Sequence, residues 1–252
     1  MKKIAFNNKS YKGISGYEME LIDFIKDYHL FNINLIRKLS NWQTSRIKNI
    51  LASLKKKGII TQLKKNSYTM STSITENIFQ ISTAITNPSY VSFWTAMSYY
   101  GYTDQQLNTI QVISIKQHAK LKINNFIIEP LVYNPKRFYG YQKVRGIILA
   151  EKEKLLIDCL YKPEKAGGIE ELKKCLKNMW DDIDQKKLIQ YLLKFDNKSI
   201  NSRLGCLLES LSIKARIISF LLKHLPKGYI KLNPAKNTIP KYDKKWRVII
   251  ND

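Results

Sequence analysis

A short polar run at residues 43–49 carries the side-chain types with which proteins read DNA bases. Arginine and lysine donate to guanine O6 and N7, glutamine and asparagine bond adenine bidentately, and small hydroxyls suit a phosphate or a thymine methyl. Apolar residues at helical spacing, beginning with Ile47, would take the opposite face. The predicted reading face comprises Gln43, Thr44, Ser45, Arg46, Lys48 and Asn49.

Charge around this run has a single sign. No Asp or Glu occurs between residues 29 and 75, whereas Lys and Arg recur throughout that window. The whole chain carries 43 Lys and Arg against 20 Asp and Glu, a net charge of +23. Solubility does not require such an excess, so we expect an anionic partner, and double-stranded DNA fits the residue types above.

The same stretch of sequence predicts the helices and strands that would position residues 43–49. Ser15 is a suitable N-cap for a first helix, and two further apolar patterns end at the turn-forming Ser40-Asn41 and at Gly58. Two short strand-like runs follow, joined by a polar turn that starts at Lys64 and Lys65. Three helices followed by a hairpin predict a winged helix-turn-helix over residues 1–72, with its third helix in the major groove and both lysines on DNA phosphates or in a minor groove.

Residues 73–252 predict a second, larger domain. We expect helices at about 74–85 and 94–100, strands at 109–115, 126–132 and 144–149, then five helices at 152–160, 169–180, 185–193, 200–210 and 213–225, and a last strand at 246–250. Helices and strands are segregated instead of alternating regularly, so the fold class is α+β. A chain of 252 residues accommodates two such domains.

Other interpretations of the basic region remain open. A basic helix is often only a solvated face, and winged helices also serve as protein-binding modules. Trp42, just before the third predicted helix, is a better core anchor than a base-stacking residue. In the second domain, basic residues surround aromatic ones at residues 136–145. Such a mixture binds RNA in some proteins, but it is more often a solvated loop whose aromatic side chains fold inward.

Acidic residues offer the main argument for an enzyme. Glu151 and Asp158 are seven apart on one predicted helix, with Glu153 between them, and two carboxylates on one face can hold a divalent ion. A metal-dependent nuclease with a DNA-docking domain is therefore the alternative function. Helix-dipole stabilisation explains the two glutamates better, and N-capping explains Asp181, Asp182 and Asp184. We expect no catalysis.

The remaining composition limits cofactors and location. Cys159, Cys175 and Cys206 form no paired motif, and the three histidines are far apart, so neither a metal nor another cofactor is expected. Residues 77–103 lack charge but are too polar to face lipid, and no secretion signal is visible at the start. The prediction is a cytoplasmic protein without a membrane partner.

Five sequence pieces occur in an order that resembles the AbiE-type (AbiEi) abortive-infection antitoxin family, whose members are also described as transcriptional regulators. They cover nearly the whole chain, although residues 1–12 have no clear counterpart. The pieces are GII at 58–60, NPSYVSFWTAM at 87–97 with YGYT at 100–103, VRGIILAEKEKLLID at 144–158, RLGCLLE at 203–209 and KWRVIIN at 245–251.

The resemblance implies a repressor that binds inverted repeats in its own promoter through a winged helix. It also implies that the second domain counteracts a nucleotidyltransferase-type toxin encoded beside it. In this family type the two proteins are not expected to form a stable complex. These functions are expectations from the resemblance and not from the spacing of residues.

Overall fold

The structure is a computed structural model and describes residues 13–105, 108–236 and 241–251. The chain divides into two compact units, an amino-terminal unit that ends at Ile81 and a carboxyl-terminal unit that begins at Ser82. Helices and strands are segregated along the chain, so the predicted α+β class is confirmed. No helix in these described ranges combines the length and apolar character needed to cross a bilayer.

Up to Met70, the amino-terminal unit contains three α-helices and a two-stranded hairpin at the predicted places. Its elements are α1 (Gly16–Ile25), α2 (Ile33–Ser40), α3 (Thr44–Lys56), β1 (Ile60–Lys64) and β2 (Ser67–Met70). Ser15 caps α1 through a reciprocal capping box with Glu18, as its position predicted. Asn32 caps α2, which ends where Asn41 adopts a left-handed conformation.

One apolar core holds this unit together. Side chains from all three helices and the hairpin meet there, and Phe31, in the link between α1 and α2, is almost fully buried among them. Phe31 also pairs with Tyr68 of β2 through two backbone hydrogen bonds of 2.9 Å. The core residues are Leu21, Ile22, Ile25, Phe31, Ile36, Ile47, Ile50, Leu51, Leu54, Ile60 and Met70.

A six-stranded sheet organises the carboxyl-terminal unit, in the order β5-β6-β4-β3-β8-β7. The pairs β4–β6 and β3–β8 are parallel, and the other neighbours are antiparallel. Its strands are β3 (Ser89–Val91), β4 (Thr109–Ser114), β5 (Leu121–Ile123), β6 (Phe126–Val132), β7 (Tyr141–Val144) and β8 (Ile147–Ala150).

Helices and a second small sheet complete the chain. The small sheet has the order β10-β11-β9. These elements are α4 (Ile78–Ile85), α5 (Phe93–Tyr99), α6 (Lys152–Tyr161), α7 (Ile169–Met179), α8 (Gln185–Phe195), α9 (Lys198–Ser210), α10 (Ile218–Lys223), β9 (Ile230–Lys231), β10 (Lys241–Asp243) and β11 (Val248–Ile250).

Four predicted elements of this part differ from the structure, one of them the expected last strand at 246–250, which begins only at Val248. The expected strand at 144–149 is two strands, because Arg145 and Gly146 both have positive φ and form a two-residue turn. The expected helix at 213–225 is helical only in α10, since the chain first turns after Ser212, which also has a positive φ. The expected helix at 74–85 begins only at Ile78.

Candidate nucleic-acid interface

Helix α3 buries one face and exposes the other. Ile47, Ile50, Leu51 and Leu54 lie in the core of the amino-terminal unit. Most of the predicted reading residues lie on the outer side of the first half of the helix. Gln43, Ser45, Arg46, Lys48 and Asn49 are exposed, and Thr44 is half-buried. The structure therefore brings all six to one end of α3 and leaves five of them open to solvent.

Arg46 has an aromatic support that the sequence pattern did not indicate. Its guanidinium carbon lies 4.8 Å from the centre of the Tyr17 ring, and Tyr17 is itself 52% exposed. Tyr17 comes from the first turn of α1, a segment distant from Arg46 in the chain. An aromatic ring attracts a guanidinium and leaves its N–H groups able to donate hydrogen bonds. Arg46 is therefore held at the surface with its donors available.

Trp42 anchors the turn between α2 and α3. Its ring packs edge-on against Tyr17 at 5.7 Å and Phe24 at 5.8 Å between ring centres. It also packs against the buried cluster of the unit. The predicted anchoring role is thus confirmed, and through Tyr17 the same cluster of rings reaches Arg46.

The hairpin lies beside α3 and leaves a groove of about 360 Å³ between them. Three lysines line this groove, Lys48 and Lys55 from α3 and Lys65 from the hairpin turn. Lys55 donates to Gln62 of β1 at 2.8 Å, which links helix and hairpin across it. The groove residues Lys55, Gln62 and Tyr68 were not predicted, because only the folded hairpin brings them to α3.

The hairpin turn is shorter than predicted. Lys64 is the last residue of β1 and is half-buried, so the turn consists of Lys65 and Asn66, and of the two lysines only Lys65 is at the tip and exposed. Asn66 has a φ of +56° and its side chain accepts a hydrogen bond of 3.0 Å from the backbone N–H of Ile33. This contact joins the turn to the start of α2.

One cation near α3 is already neutralised. The Lys57 ammonium lies 2.6 Å from the carboxylate of Glu18, which is 3% exposed and also accepts from Ser53 of α3 at 2.6 Å. Burial raises the pKa of Glu18, but the hydrogen bonds from Lys57, Ser53 and Ser15 outweigh that effect and lower its pKa to about 2. Glu18 is therefore a charged group that stabilises the fold, and Lys57 serves as its partner and is not counted in the candidate interface.

The three acidic residues at and within α6 do not lie together: Glu151 and Glu153 share one lysine, and Asp158 pairs with another. Glu151, at the start of α6, accepts from Tyr191 and pairs with Lys187 at 3.2 Å. Glu153 pairs with the same lysine and accepts from the backbone of Asp184. Asp184 in turn caps α8, as predicted. Among the described residues, no group of three or more His, Cys, Asp or Glu is placed to hold a metal ion.

Asp158 is separated from those glutamates in the interior. It is fully buried, pairs with the buried Lys154, and accepts from Ser92 at 2.8 Å and from Tyr90 at 3.3 Å. Burial raises the pKa of Asp158 and lowers that of Lys154, while the ion pair opposes both shifts. Every carboxylate of the alternative metal site is thus already bound by protein groups.

Comparison with known proteins shows the fold alone. No protein-family model matches the chain, and no curated protein matches it in sequence. A similar solved structure is the RV2827C protein from Mycobacterium tuberculosis, with a TM-score of 0.65 and 15% sequence identity. The match covers 91% of this chain and 89% of that chain. At this identity a shared architecture carries no statement about function.

Proposed function

We propose that the chain is a sequence-specific DNA-binding transcriptional repressor whose α1–α3 and hairpin act as a winged helix-turn-helix. The observation that carries the proposal is the outer face of α3, where Gln43, Ser45, Arg46, Lys48 and Asn49 are exposed together. The lysine-lined groove beside the hairpin adds a path for the phosphate backbone. No Asp or Glu between residues 29 and 75 opposes it.

We further propose that the repressor is the antitoxin of a toxin-antitoxin pair and acts in the cytoplasm. This step rests on the sequence resemblance to AbiE-type antitoxins. In this role the protein binds inverted repeats in its own promoter. Its carboxyl-terminal unit counteracts a nucleotidyltransferase-type toxin, and no stable complex between the two proteins is required. That unit performs no bond-making, which agrees with the pairing of Glu151 and Glu153 with Lys187 and of Asp158 with Lys154.

A binding titration with the DNA upstream of the gene tests the first step. Arg46→Ala is expected to weaken binding to the operator by about 1–3 kcal/mol if Arg46 reads a base. Lys65→Ala should weaken operator and scrambled DNA alike, because a phosphate contact is independent of sequence. Lys26→Ala removes the same charge from a surface residue at the end of α1 and is the control. Operator affinity that survives Arg46→Ala would remove Arg46 from the reading set.

Two further experiments test the antitoxin role. Expression of a nucleotidyltransferase encoded next to this gene should arrest growth, and co-expression of this protein should restore it. Incubation of the purified protein with duplex or single-stranded DNA and Mg²⁺ or Mn²⁺ should leave the DNA intact. Cleavage that Glu151→Ala or Asp158→Ala abolishes would contradict the proposal in favour of a nuclease.

A further inference from the structure

Arg137 in the carboxyl-terminal unit is held in place by four contacts. Its Nε donates to the backbone oxygen of Phe195 at 3.1 Å, and its Nη1 donates to the Tyr161 hydroxyl at 3.1 Å. The guanidinium carbon also lies 5.0 Å from the Tyr161 ring centre and 4.6 Å from that of Phe195. A guanidinium fixed in this way loses little further conformational entropy when it binds a ligand.

One nitrogen of this guanidinium is left over. Nη2 makes no hydrogen bond to any residue in the described part of the chain. Arg137 lines a cavity of about 310 Å³, which is large enough for a small ligand. The other residues around the cavity are Asn134, Lys136, Lys194, Phe195 and Asp196.

The cavity has an excess of positive charge. Lys136 and Lys194 are exposed, and neither forms an ion pair with a described residue. The Lys194 ammonium lies 4.4 Å from the centre of the Tyr139 ring, which places it on an aromatic surface. Asp196 is the only carboxylate in the lining set, so three basic residues and one acidic residue line the cavity.

We propose that this cavity binds a phosphate group. A fixed guanidinium with free N–H donors and two flanking ammonium groups matches the several acceptor oxygens of a phosphate. The phosphate can belong to a free small molecule or to a nucleic-acid backbone. This site lies in the unit that contains neither α3 nor the hairpin, so it does not depend on the DNA-binding surface proposed above.

Binding measurements with the full-length protein test the site. Inorganic pyrophosphate, followed by calorimetry, represents a free phosphate, and a labelled uridine hexamer, followed by fluorescence anisotropy, represents a nucleic-acid backbone. The double variant Lys136→Ala/Lys194→Ala is expected to weaken binding of at least one probe about tenfold or more. The control Lys186→Ala/Lys227→Ala removes two exposed lysines of the same unit that do not line the cavity, one of them also on α8.

A gain of affinity gives a readout that misfolding cannot imitate. Asp196→Asn removes the one carboxylate and keeps a residue type that tolerates the left-handed conformation of Asp196. It should tighten binding of the same probe several-fold. Arg137→Lys retains the charge but loses the planar set of guanidinium N–H donors, so it should weaken binding. Thermal unfolding of this variant checks that the fold is kept.

The outcomes separate the two sources of phosphate. If only pyrophosphate binds and Lys136→Ala/Lys194→Ala weakens it, the site is assigned to a free phosphate compound. If only the hexamer binds and the same variant weakens it, the site is assigned to nucleic acid. Binding of both with the same response to the variants supports the shared phosphate chemistry. Absence of binding to both probes, or an equal loss in the Lys186→Ala/Lys227→Ala control, would overturn the proposal.

Discussion

Glu18 is the buried carboxylate of α1, and its state links stability to pH. Its pKa is about 2 in the folded protein against 4.5 for an unperturbed glutamate. Because the folded value is the lower one, the stabilisation is present above pH 4.5 and is lost as the pH falls towards 2. We expect Glu18→Gln to lower the free energy of unfolding by about 1–3 kcal/mol at neutral pH.

The pH profile distinguishes this carboxylate from the others. The difference in unfolding free energy between wild type and Glu18→Gln, measured in denaturant, should shrink as the pH is lowered through this range. Glu20→Gln changes an exposed residue of the same helix and should leave stability nearly unchanged. A constant difference at all pH values would show that the charge of Glu18 is not what stabilises the fold.

Gly205 in α9 leaves room for one neighbouring side chain, the ring of Trp246. A Cβ at this position would lie 2.0 Å from a carbon of the fully buried Trp246 ring. Trp246 is fixed in turn, since its Nε1 donates to Glu209 of the same helix and Lys245 pairs with that glutamate at 2.8 Å. Gly205→Ala should therefore cost about 3 kcal/mol or more.

Thermal unfolding followed by circular dichroism measures this cost. Gly228→Ala is a matched control, because a Cβ there meets no atom within 4 Å. We expect Gly228→Ala to be nearly neutral. Equal unfolding temperatures for the two variants would mean that the Trp246 ring moves aside without loss.

At the scale of elements, Asn66 connects the hairpin to α2. It combines a positive φ with the hydrogen bond from the Ile33 N–H. Asn66→Ala disturbs both and should cost about 1.5–3 kcal/mol. Asn66→Gly keeps the backbone conformation and loses only the side-chain acceptor, so it should cost about half as much. Chemical denaturation of both variants measures the difference, and equal costs would rule out the backbone contribution.

At the scale of the whole molecule, a net charge of +23 alone does not localise DNA binding. If the amino-terminal unit contacts DNA, each lost phosphate contact should reduce the slope of log affinity against log salt by about 0.9. Lys65→Ala should show this reduction in anisotropy titrations over a range of salt. Lys227→Ala, in the other unit, should not. Equal slopes in the two variants would indicate diffuse attraction by the total charge.

The sequence pattern predicted local structure well where a period or a cap defines it. The outer face of α3 follows from the 3.6-residue spacing of Ile47, Ile50 and Leu54, and α1 begins at its Ser15 cap. The α+β class follows from the order of such elements. By contrast, the turn at Arg145 was not predicted, because a positive φ at a non-glycine residue leaves no clear pattern in the types of the neighbouring residues.

Sequence by itself determined the charge, the residue types of the candidate interface and the face on which they lie, since these depend on neighbours within a few turns of one helix. Only the tertiary structure decided that Tyr17 supports Arg46, that Glu18 neutralises Lys57 and that Tyr161 and Phe195 enclose Arg137. Each of these contacts joins segments far apart in the chain. Their partners are selected by how the elements pack, which no local spacing encodes.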